Sequence, residues 1–121
     1  MELDRNSKLL RIFIGEMDKT SGNFLSSKPL YEALVLAAKE QGLAGATVLR
    51  GILSYGASSK IHTAKLLELS SDLPIVVEII DQEDKINAYL EHANKLIEDA
   101  GCGALITIEK AEVIYYKARK H

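Results

Sequence analysis

Residues 75–80 read Ile-Val-Val-Glu-Ile-Ile, a run too short for an ordinary helix and too apolar for a strand that faces water. It reads as a strand covered on both faces, and Pro74 opens it at the one strand position that tolerates a missing amide donor. A chain that carries such a strand must supply neighbours beside it and a layer on each side. With 121 residues, that cover has to come from a single domain, residues 1–121, or from further copies of it.

The rest of the pattern supplies the neighbours. Leu10, Ile12 and Ile14 alternate with Leu9, Arg11 and Phe13 in a first strand over 8–15 that ends at Gly15. Residues 16–27 lack apolar periodicity and read as a loop. After Pro29, residues Leu30, Leu34, Ala37, Ala38 and Gln41 fall on one helical face, and Gly42 suits the left-handed turn past a helix end. A second strand is expected over 47–53, with Gly51 as a bulge. Residues 58–65 look loop-like, and 64–69 suit a short helical turn.

Asp81 is placed to accept hydrogen bonds from the first turn of a second helix, beside Glu83 and Asp84. That helix carries Ile86, Tyr89, Leu90, Ala93, Leu96 and Ile97 as its stripe and stops at Gly101-Cys102-Gly103. A fourth strand follows over 104–108 and a short fifth over 113–116. The order β-α-β-β-α-β predicts a ferredoxin-like α+β sandwich, a four-stranded antiparallel sheet with both helices on one face and an extra C-terminal strand. The opposite face, holding Leu9, Phe13 and part of the third strand, then calls for a second copy, so a closed homo-oligomer is expected.

Composition narrows the function classes. A formal net charge of −2 gives no reason to expect a nucleic-acid partner. Glu2, Asp4 and the Arg11 interruption of 9–14 argue against a leader or a membrane insertion, so a cytoplasmic protein is expected. Cys102 is the single cysteine, and His62, His92 and His121 lie far apart, so no metal site is expected.

The stretch Gly42, Gly45, Ala46, Thr47, Val48, Arg50, Gly51, followed by Tyr55-Gly56, Ile61-His62, Leu73-Pro74 and Asp81, resembles an uncharacterised branch of the PII-like small signalling proteins. The resemblance spans nearly the whole chain. It implies three ferredoxin-like subunits packed by their sheets, adenine nucleotide bound in the clefts between them, and a loop over 55–72 that docks on a protein target. By resemblance, the cleft involves Ala46, Thr47, Arg50, Ser54, Tyr55, Gly56, Gly101, Gly103 and Lys117, and the partner loop presents Ser58, Lys60, His62 and Lys65.

Two departures from the PII pattern bear on the ligand. The phosphate-binding Gly-Asp-Gly-Lys is replaced by Gly101-Cys102-Gly103-Ala104, and two arginines of the last strand are replaced by Tyr115 and Lys117. A nucleotide with few phosphates, AMP or ADP in preference to Mg-ATP, is therefore expected, and no obligatory cofactor.

Each of these residues also has a structural reading. The glycines serve equally as helix caps and bulges. Arg50, in an apolar strand, is expected to form an ion pair with Glu78 or Asp81 unless it meets an anion. Cys102 reads as a small buried residue of a turn, and Lys117, Arg119 and Lys120 as a solvated tail. Asp72, His62 and Ser58 or Ser59 have hydrolytic residue types, but on a loop they lack the positioning that catalysis needs, so no enzyme is expected. A trimeric adaptor that binds no ligand is the alternative to the sensor.

Overall fold

Alternation in the first strand decides which side of the sheet becomes the core. The structure, a computed structural model, describes residues 6–23, 25–55, 61–63 and 73–119, with 53–55 and 61–63 described by backbone alone. Strand β1 (Ser7–Gly15) turns Leu10, Ile12 and Ile14 into the interior. It is central, pairing antiparallel with both β5 (Pro74–Asp81) and β6 (Leu105–Ala111). Strand β2 (Thr47–Arg50) joins the outer side of β5, so the sheet order is β2-β5-β1-β6. Helices α1 (Leu30–Glu40) and α2 (Glu83–Ala100) lie against one face.

The core is the seam between that face and the helices. Ile75, Val77 and Ile79 of β5 meet Leu30, Leu34 and Ala38 of α1 and Ile86, Ala93 and Ile97 of α2 in one buried cluster. Tyr89 of α2 is fully buried, and its hydroxyl donates to the Leu34 carbonyl at 2.8 Å, which removes the cost of sinking a polar group between the helices. Both helices end as expected, with Gly42 and Gly101 at φ +74° and +70°, where a side chain is strained. The expected ferredoxin-like α+β architecture is thus observed.

Several local expectations are corrected. The second strand does not run through 47–53. It stops at Arg50, and Leu53–Tyr55 (β3) pairs with Ile61–Thr63 (β4) in a separate hairpin. Gly51 is no bulge but a close crossing: its N–H donates to the Pro74 carbonyl at 2.7 Å, and an added Cβ would stand 2.8 Å from the Pro74 ring. His62, expected in a loop, therefore sits in β4. Gln41 is exposed rather than part of the helix face.

The expected fifth strand is also absent, since 112–119 carry no strand, while the fourth extends to Ala111. Strand β5, expected to be covered on both faces, is covered on one: Val76 and Glu78 are half-buried and Ile80 is exposed on the other. Asp81 does not cap α2, whose first turn receives no side-chain cap. The fully buried carboxylate accepts instead from the Ala44 N–H at 2.8 Å and from the Gln82 N–H at 2.7 Å. The reason is spatial, because β5 delivers Asp81 beside the loop that leaves α1.

Candidate functional site

The loop between α1 and β2 holds the Gly45-Ala46-Thr47 stretch, and three side chains from distant parts of the chain fasten it. Asp81 takes the Ala44 N–H, Lys85 of α2 donates to the Gly42 carbonyl at 3.0 Å, and Tyr116 donates its hydroxyl to the Ala44 carbonyl at 3.2 Å. An open pocket of about 260 Å³ lies between this loop and α1, lined by Val35, Ala38, Lys39, Leu43, Gly45 and Ala46. It is mostly apolar with one cation. Its volume falls below the roughly 300–1,000 Å³ of sites that enclose drug-sized ligands, so a nucleotide would need further walls.

Gly45 and Gly103 differ from the capping glycines. Neither has a left-handed backbone, and a Cβ on either would meet nothing within 4 Å. Packing within the protomer thus does not require glycine at these positions, and both leave backbone accessible to an approaching group.

The expected site residues do not all converge in one protomer. Ala46 and Thr47 stand at the start of β2, on one edge of the sheet. Gly101 and Gly103 precede β6 on the other edge, three strand spacings or about 14 Å away. Strand directions separate them further: β6 begins opposite Phe13, at the end of the sheet where β2 finishes at Arg50, whereas Thr47 lies opposite Glu78 towards the other end. Lys117 joins the Thr47 end, because its neighbour Tyr116 is bonded to Ala44.

Arg50 is engaged differently from either expectation. Its guanidinium pairs with Glu16 in the loop after β1, not with Glu78 or Asp81. Glu78 is taken by Arg11, whose Nε donates to it at 2.9 Å while Nη1 contacts Glu109. These two carboxylates hold the Arg11 pKa above its ordinary value. The trio sits at the centre of the face that carries no helices, a network the sequence reading missed because Arg11 is more than sixty residues from either carboxylate.

Cys102 borders the core, and burial followed by the nearby Asp18 carboxylate pushes its thiol pKa up. The shift favours the neutral thiol over the thiolate. Of Ser54, Tyr55 and His62 only the backbone is described, in the β3–β4 hairpin. Gly56, Ser58, Lys60 and Lys65 lie outside the described residues, as does most of the 55–72 segment, so the partner-loop expectation falls there too. Among the described residues, no group of three His, Cys, Asp or Glu side chains could hold a metal ion, and no helix is long and apolar enough to cross a membrane.

Comparison with known proteins matches this geometry. Residues 7–113 match the family DUF190, described as Uncharacterized ACR, COG1993. A UPF0166 protein of Aquifex aeolicus is 47% identical over 108 residues, covering 89% of this chain and 93% of the relative. A UPF0166 protein of Methanocaldococcus jannaschii is 32% identical over 95 residues, covering 78% and 82%. Among solved structures, CPII, a nitrogen regulatory PII-like protein from Thiomonas intermedia K12 bound to ADP, AMP and bicarbonate, is similar with a TM-score of 0.65 and 16% identity, over 88% of this chain and 87% of that one.

Proposed function

This chain belongs to the DUF190 family and shares the fold of a PII-like protein, and from that premise we propose that it is a PII-like regulatory protein, not an enzyme. It binds an adenine nucleotide with few phosphates between subunits of a homotrimer and signals to a protein target through the 55–72 segment. The observation that carries this reading is the division of the site: Ala46, Thr47 and Lys117 gather near one sheet edge, and Gly101 and Gly103 lie at the other. Two different edges of one protomer meet when identical copies associate head to tail, an arrangement that closes into a ring when the rotation between copies is a third of a turn. Each cleft would then receive the Thr47 side of one subunit and the Gly103 turn of the next.

The chemistry favours few phosphates. Gly103 leaves backbone open to an anion, but its turn, Gly101-Cys102-Gly103-Ala104, brings no cation of its own. Arg50 is already paired with Glu16, which leaves Lys117 of the tail and Lys39 of the pocket beside Gly45 as the cations for a phosphate. The related CPII structure contains ADP and AMP, which agrees in kind with this reading.

The test is calorimetric titration with AMP, ADP, ATP and cyclic nucleotides, alongside sedimentation of the free protein. A trimer that binds AMP or ADP more tightly than Mg-ATP is expected. No heat with any nucleotide removes the reading and leaves the ligand-independent trimeric adaptor, and a stable monomer removes both.

A further inference from the structure

The backbone of Ala44 is held at both its N–H and its carbonyl. Its N–H is fixed by the buried Asp81 carboxylate and its carbonyl by the Tyr116 hydroxyl, so one residue joins the sheet, the Gly45-Ala46-Thr47 loop and the C-terminal tail. The tail begins where β6 ends at Ala111, opposite Ser7, and reaches Ala44 in five residues. It therefore crosses the end of the sheet from the β6 edge towards β2.

Among the described residues, the tail beyond Glu112 is hydrogen-bonded to the rest of the chain by Tyr116 alone. Ile114 and Tyr115 are 73% and 79% exposed and Val113 is half-buried, whereas Tyr116 is 39% exposed, so its ring is the best-covered large side chain of the tail. The Tyr116 side chain is thus what ties the tail, and with it the next residue Lys117, to the loop that leads to Thr47.

We propose that Tyr116 is a positioning residue for the ligand site: its hydrogen bond to Ala44 aims the Gly45-Ala46-Thr47 loop and delivers Lys117 to the same end of the cleft. The ligand part of this inference rests on the nucleotide reading above. Linkage makes the coupling reciprocal, so a nucleotide that engages both the loop and Lys117 also holds the tail in place. The tail thereby becomes a reporter of occupancy.

Tyr116→Phe removes only the hydroxyl of a residue on the surface and is expected to keep the fold, lowering the thermal midpoint by no more than the loss of one hydrogen bond allows. In the ligand-free protein, it should speed hydrogen exchange at the Ala44 amide, which the Asp81 carboxylate protects, by about threefold to tenfold, the range for losing one hydrogen bond. Equal rates overturn the proposal, whether or not any nucleotide binds. With ADP, the same variant should bind about threefold to tenfold more weakly.

A double-mutant cycle then separates positioning from a general structural effect. In a Lys117→Ala background, the Tyr116→Phe change should cost less ADP affinity than it does in the wild type, because the lysine it delivers is gone and only its hold on the loop remains. Additive losses overturn the delivery of Lys117. ADP should also slow tryptic cleavage after Lys117 and Arg119 in the wild-type protein, and no slowing overturns the reciprocal coupling. If the wild-type protein binds no nucleotide at all, the nucleotide reading fails, and with it the delivery of Lys117 to a ligand, while the exchange measurement still decides whether Tyr116 aims the loop.

Discussion

The two faces of the sheet are built from the same strands and yet end in different environments. On the helix side, Leu10, Ile12, Val77 and Ile79 are sealed completely or almost so. On the other side, Leu9, Phe13 and Val76 are only half-buried, Ile80, Leu49 and Leu105 are exposed, and Arg11 sits among them with Glu78 and Glu109. Apolar content alone therefore does not say which face is interior; what covers it does. The second face has the residues of a contact surface and one ionic cluster at its centre, where the partners of Arg11 already satisfy its charge.

That contrast can be broken most directly at adjacent positions. Ile12→Ala is expected to cost about 2–5 kcal/mol in urea unfolding, because a fully buried side chain leaves a cavity. A loss below about 1 kcal/mol would show that the helix-side packing is not as tight as its burial implies.

Tyr89→Phe tests the polar seam between the helices. Loss of its hydrogen bond to Leu34 should cost about 1 kcal/mol. Burial also raises the Tyr89 pKa. Because the unfolded phenol gives up its proton above about pH 10 while the folded one keeps it, stability present below that pH should fall as the pH rises through it. Urea midpoints measured between pH 9 and 11 check this, and Tyr89→Phe should flatten the decline.

The smallest effect on folding is expected on the open face. Leu105→Lys, at a position 59% exposed, should change protomer stability by less than about 0.5 kcal/mol but shift sedimentation towards the monomer. A variant that sediments as wild type would show that self-association does not use this part of the face.

Much of the frame was legible along the chain. Alternation at 9–14, the stripe from Ile86 to Ile97 and the glycines at 42 and 101 each report a local preference, and each was met in the structure. The errors share a cause. Residues 113–116 have the β-branched and aromatic make-up of a strand, but a strand needs a partner, and the described residues of the protomer offer them none. The missed β4 is the converse, three residues that look like loop until Leu53–Tyr55 comes alongside. Arg50 was given the wrong carboxylates because Glu78 was already claimed by Arg11 from the neighbouring strand.

The candidate site divides in the same way. Gly45, Ala46 and Thr47 could be singled out from their order in the chain, whereas the roles of Asp81 and Tyr116 could not. Local sequence determined the helices, the main strands and the α+β class, since periodicity and glycine preference act over a few residues. Tertiary structure decided which face was covered, which ions paired and where the tail came to rest, because each depends on groups tens of residues apart being brought within hydrogen-bond reach.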